Sequence, residues 1–175
     1  PSQETASSTF QPPDIIKAVY FTSASAKSSR AIDYLLELAS TTQINGVVID
    51  VKDCSGNIRI ADTSELIKKL HQQGIYVMAR MEVFQDPVFA NNRSDLAIHS
   101  QSATSTLWLD NYGLNWIDPS AKEYWDYILN IAQNTVKEGF DEINFDYARF
   151  PSDGNLQDMV FPVWQGKPSM SSVLR

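Results

Sequence analysis

Three short runs of this 175-residue chain interleave ionisable side chains with apolar ones at a spacing of two. They are Gly46-Val47-Val48-Ile49-Asp50-Val51-Lys52-Asp53, Ile75-Tyr76-Val77-Met78-Ala79-Arg80-Met81-Glu82-Val83-Phe84 and Glu142-Ile143-Asn144-Phe145-Asp146-Tyr147. A period of two is that of a strand, so each run has two unlike faces. With Val47, Ile49 and Val51 set against helices, Val48, Asp50 and Lys52 face the other way. The same rule leaves Met78, Arg80 and Glu82 opposite Val77, Ala79, Met81 and Val83, and Asn144 and Asp146 opposite Ile143, Phe145 and Tyr147. Charges gathered on one inner face are expensive unless each is paired or used. An acid such as Asp146 beside a cation such as Arg80 is the raw material of nucleophilic or general-base chemistry. A structural alternative stands next to this one. Asp50 with Lys52, or Arg80 with Asp146, would then be ion pairs that fix strand register, and Glu82 a solvated strand end.

The elements that must hold these residues alternate along the chain. A first strand is expected at 17–22, a helix from Ser28 to Ala39, and the second strand at 46–53. Thr63 to Gly74 reads as a capped helix ended by glycine, and 75–84 as the third strand. A long polar connection runs from Gln85 to Ile117. Asp118 is expected to cap a helix with Pro119 in its first position, ending at Gly139 before the fourth strand. Strand alternating with helix four times predicts a parallel sheet with right-handed crossovers. An open doubly wound sheet would carry a glycine-rich loop after its first strand, and Phe21-Thr22-Ser23-Ala24-Ser25-Ala26 has no glycine. The expectation is therefore α/β, a (β/α)8 TIM-type barrel of which this chain covers about the first four β/α units. Residues 1–14 read as a polar linker and 15–175 as the N-terminal half of the barrel domain. Because a whole barrel takes about 250 residues, the chain is expected to be a fragment, and a half barrel to self-associate through its sheet edges.

Composition removes several classes of function. With 14 Lys and Arg against 21 Asp and Glu, the formal charge of −7 disfavours nucleic acid and anionic membranes as partners. No apolar run is long enough for membrane insertion of this segment. One cysteine, Cys54, and two histidines, His71 and His99, make a zinc or histidine-rich metal centre a poor expectation, and both histidines lie away from the strand ends. Neither a metal nor a cofactor is expected. Asp53 and Asp141 read as turn residues. Trp108, in the polar connection, is the better candidate for a sugar platform, whereas Trp125 on a helix reads as core.

The segments VVIDVKDCSGNI, IYVMARMEVFQDPVFA, NWIDPSAKEYWDYILNIA and EGFDEINFDYARFPSDG together resemble the bacterial putative glycoside hydrolase domain family, long labelled a domain of unknown function. The resemblance runs from about Lys17 to Pro162. It implies a TIM-type barrel, carbohydrate chemistry and a location outside the cell or in its envelope. FDEINFDYARFP also looks like the fourth-strand motif of chitinase-like enzymes, but Ala148 stands where their catalytic glutamate would be. The chain is then nearer to barrels similar to α-amylases and α-galactosidases, in which an aspartate ending the fourth strand is the nucleophile. That implies Asp146 as nucleophile or base, held ionised by Arg80, with Glu82 a possible general acid and Asp50, Lys52, Asn144, Trp108 and Arg149 binding the carbohydrate substrate. Two carboxyls flanking the bond, about 5–5.5 Å apart for retention or about 6.5–9.5 Å for inversion, are what glycoside hydrolysis requires. In similar barrels the acid more often lies on a later strand, so this segment alone is expected to be inactive. Three rivals are a barrel that binds glycans without cleaving them, a phosphosugar enzyme and, last, a metal-dependent hydrolase.

Overall fold

The computed structural model describes residues 10–59, 63–103 and 106–175. Residues 1–9 of the expected linker lie outside that set; Phe10 is half-buried, its ring stacked on His71 at 4.3 Å, and most of 11–18 is exposed. The elements are β1 (Ala18–Phe21), α1 (Ser23–Ala26), α2 (Ser29–Thr41), β2 (Gly46–Lys52), α3 (Ser64–Gln72), β3 (Tyr76–Glu82), α4 (Pro87–Asn92), β4 (His99–Ser100), α5 (Lys122–Lys137), β5 (Glu142–Asp146), β6 (Met159–Val160) and α6 (Met170–Val173).

Four strands form one parallel sheet in the order β1-β2-β3-β5. Each strand is added beside its predecessor with no reversal, which is barrel order and not that of a doubly wound sheet. The helix-facing residues fall where strand parity sets them. Val47, Ile49, Val51, Val77, Ala79 and Met81 are buried in one core with Leu35 of α2, Ile67 and Leu70 of α3, and Ile128 and Ile131 of α5. Their burial fixes register, because a slip of one residue would turn every apolar side chain outward. Gly139, at φ +103, takes the left-handed conformation that ends α5 and turns the chain into β5.

Two expected features differ. The connection from Gln85 to Ile117 is not a plain polar loop. Asp86 caps α4 through Phe89 N–H at 2.9 Å with Pro87 opening the helix, β4 pairs antiparallel with β6, and bridges Gln85–Trp116 and Ala97–Ile117 fold the connection back on itself. Asp118 does not cap α5, which starts at Lys122. Its Oδ2 accepts Val163 N–H and Trp164 N–H, each at 2.8 Å, so the carboxylate anchors a segment 45 residues away instead.

Candidate functional site

Register brings the inner-face residues together at the carboxyl ends of the strands. Asp50, Arg80 and Asn144 are opposite one another on β2, β3 and β5, and Glu82 is opposite Asp146. Arg80 is the centre. Its Nη1 donates to Asp50 Oδ1 at 3.0 Å, its Nε to Asp146 Oδ2 at 2.9 Å, and its Nη2 to Glu82 Oε1 at 2.8 Å with Asp146 Oδ2 at 2.7 Å. Tyr20 of β1 donates its phenol to Asp50 Oδ2. All four strands thus contribute one or more side chains, and Asp50, Arg80 and Asp146 share one mouth as parity predicts. Exposure separates the three acids. The side chains of Asp50 and Glu82 are 7% exposed, that of Asp146 43%.

The balance of charge is uneven, with three carboxylates around one guanidinium. Burial alone would lower the pKa of Arg80, but its hydrogen bonds to Asp50, Asp146 and Glu82 outweigh that and hold it a permanent cation. Burial raises the Glu82 carboxyl, Arg80 offsets this only in part, and Asp146 and Asp50 push the same way as burial. Glu82 Oε2 is buried and has no hydrogen-bond partner. The Tyr20 phenol is pushed up to about 12, by burial first and then by its bond to Asp50. Because Nη2 holds Glu82 and Asp146 at 2.8 and 2.7 Å, the two bound oxygens are close enough for a catalytic pair, but the guanidinium fills the space between them. Asp146 alone offers carboxylate surface to a ligand on any scale.

Two backbone details aim Asp146. Tyr147 has φ +51, the one non-glycine residue in the left-handed region among those described. This conformation is uncommon for a bulky side chain and marks an imposed geometry. Here it points the Tyr147 N–H at Asp146 Oδ1, 2.8 Å away, so that both oxygens of the carboxylate are held. Tyr147 therefore does not continue the apolar face of β5. Its ring lies 5.7 Å from Trp116, and its phenol is raised by burial and then by the nearby Glu82.

Lys52 is a correction. The register slips by one residue between Asp50 and Lys52, so Lys52 stands opposite Met81 and turns with it away from the mouth. Its Nζ reaches Glu82 O at 2.7 Å, Val83 O at 3.5 Å and Asp86 Oδ2 at 3.1 Å, and both charged side chains are 0% exposed. Tyr124 of α5 completes this network, its hydroxyl 2.5 Å from Val83 O and 2.9 Å from Asp86 Oδ2. Burial lowers the Lys52 pKa, and Asp86 works against the shift. A lysine so enclosed cannot bind sugar hydroxyls.

Trp108 is a second correction. It is 2% exposed and donates Nε1–H to Asn155 O at 2.9 Å, so it is core and no platform. Arg149 lies over the rings of Tyr147 at 4.9 Å and Trp116 at 5.3 Å, with Nη1 donating to Ser152 Oγ at 2.7 Å and Phe150 O at 3.2 Å. It braces the aromatic side of the mouth. Asn144 is exposed on the inner face. His71 pairs with Asp141 at 2.9 Å beside the start of β3, away from the mouth as expected. Tyr20 and Tyr147 were absent from the expected site. Tyr20 alternates with Val19 and Phe21, and the parity rule applied to the first strand would have found it.

Known structures resemble this fold at two levels. A hypothetical protein from Ruminiclostridium thermocellum is 31% identical, over 89% of this chain and 86% of that one, with a TM-score of 0.78. The α-galactosidase from Lactobacillus brevis gives a TM-score of 0.57 at 14% identity, over 91% of this chain and 23% of the enzyme. An α-xylosidase from a soil metagenome, solved with xylose, gives 0.57 at 11% identity over 82% of this chain and 23% of that one. The chain thus spans under a quarter of either enzyme, and at those identities the likeness is one of fold. The family described as "Putative glycosyl hydrolase domain" matches residues 18–174, and the chain belongs to it.

Proposed function

We propose that this domain supplies the nucleophile or general base of a glycoside hydrolase, and that Asp146 is that residue. One observation carries the reading: in a cluster of three carboxylates, Asp146 alone is open to solvent while both its oxygens are oriented, by Arg80 and by the Tyr147 N–H. A preorganised carboxylate at a strand's carboxyl end is suited to the positive charge that develops on a sugar ring in the transition state. Asp50 and Glu82 act on substrate through Arg80, which they hold in place. A glycan substrate goes with action at the cell envelope or outside the cell.

A second reading, glycan binding without cleavage, draws on the same geometry. Both other carboxylates are committed to Arg80, so neither stands opposite Asp146 across an open gap. Replacing Asp146 by Asn in the full-length protein separates the two. Loss of hydrolysis by about a thousandfold or more, with glycan binding retained, is expected for a nucleophile or base. Equal turnover by wild type and Asp146→Asn on the same glycan would eliminate the catalytic role.

A further inference from the structure

Two of the three cations near the mouth are held by carboxylates. Every donating nitrogen of Arg80 is spent on Asp50, Glu82 or Asp146. Lys52 is turned away by the bulge and bound to Asp86. Arg149 is stacked on two rings and hydrogen-bonded to Phe150 and Ser152. Neither Arg80 nor Lys52 is left to receive an acidic sugar, and Arg149 stands to one side on the aromatic wall. Against them stand three carboxylates, one of which, Glu82, is 5% exposed and keeps an oxygen without a donor. That oxygen is closed to a ligand and acts through space: a buried carboxylate not fully matched, inside a site with surplus negative charge, raises the affinity for a ligand that brings positive charge to Asp146.

We propose that the glycan of this site carries free amino groups, as an oligosaccharide of hexosamine without N-acyl substituents does. The inference rests on the glycan reading of the preceding section and extends it to substrate class. The ammonium sits in the Asp146 mouth, where three acids face two cations, Arg80 at their centre and Arg149 on the aromatic side. Asp50 and Glu82 thereby become specificity residues without touching the reacting bond.

A matched pair of probes isolates the charge. Glucosamine and galactosamine are titrated against their N-acetylated forms and against galacturonic acid, using ligand-observed NMR or calorimetry on the wild-type protein at low ionic strength and pH 6. The amino sugars are expected to bind about tenfold more tightly than the N-acetylated ones. In Glu82→Gln and Asp50→Asn, checked for folding by thermal melts, that preference is expected to fall to about threefold or less. Equal binding of amino and N-acetyl sugars overturns the inference and leaves the glycosidase reading standing. So does a preference that survives in both variants, since the general surface field would then explain it. Absence of binding by every sugar tested overturns the inference and the glycan reading together.

Discussion

Arg80 and Lys52 belong to adjacent strands, and each gathers oxygens from the ends of β3 and its neighbours, yet they do so under different conditions. Around Lys52 the two charges are both 0% exposed and equal in number, and the ammonium, the carboxylate and the Tyr124 hydroxyl all have partners. Around Arg80 the acids outnumber the base, one acid is 43% exposed and one buried oxygen has no donor. A closed network of the first kind holds a strand end still. The second kind is left unfinished, and its open carboxylate, Asp146, is where a ligand can enter. Two clusters of similar composition are thus told apart by how completely they satisfy themselves.

The contrast can be broken from its dry side first. Lys52→Met leaves Asp86 buried without a cation, and unfolding in urea is expected to show a loss of about 3–5 kcal/mol. A loss below 1 kcal/mol would mean that water or another donor reaches Asp86, and the dry cluster would not be dry. Arg80→Met is expected to lose about 2–3 kcal/mol near neutral pH, because Asp50 and Glu82 then lack their cation. The sign with pH follows from that. Carboxyls without a counterion have raised folded pKa values, so stability is present when they are protonated and falls as pH rises. The Arg80→Met deficit should shrink toward pH 4, and a deficit independent of pH would contradict the electrostatic account.

Gly56→Ala probes the wall of the dry cluster. Gly56 has φ +80, and a Cβ there would stand 2.2 Å from Asp86 Oδ1, so a cost of about 1–3 kcal/mol is expected in the same unfolding assay. Unchanged stability would show that the Lys52–Asp86 pair has room to shift. Glu82→Gln should have the smallest effect. The folded Glu82 carboxyl lies above its ordinary value, so what it contributes is full below the usual carboxylate range and is lost as pH rises through the folded pKa. The variant is expected to match or exceed wild type near neutral pH and to show a flatter profile on the acid side. A variant less stable than wild type at neutral pH would assign Glu82 a net stabilising charge.

The parts of this molecule that follow from alternation were legible in its sequence. Parity placed Asp50, Arg80, Glu82 and Asp146 on one face, since β3 and β5 run in register up to their last residues. It failed for Lys52 because a bulge leaves no mark in a run of Val, Asp and Lys. It failed for Tyr147 because nothing in a tyrosine announces a left-handed backbone. Trp108 and Asp118 failed for another reason. Both are fixed by partners more than 40 residues away, Asn155 and the 163–164 amides, and local pattern cannot reach that far. Asp86 before Pro87 has the pattern of a helix start, a cap with proline in the first position, which reading 85–117 as one polar connection passes over.

The slip after Asp50 gives the end of β2 something like a reading frame. In the frame observed, Val51 is the supernumerary residue and Lys52 aligns with Met81. Deleting Val51 would keep Lys52 on the same side, though with the loss of one buried core side chain. Straightening the strand with all its residues present would bring Lys52 opposite Glu82, adding a further cation to the mouth and stripping Asp86 of its own. The polarity of this entrance is therefore set by how the residues are counted off against the neighbouring strand. A relative with the same amino acids in β2 and a regular ladder would present an almost neutral entrance, and would discriminate among sugars differently.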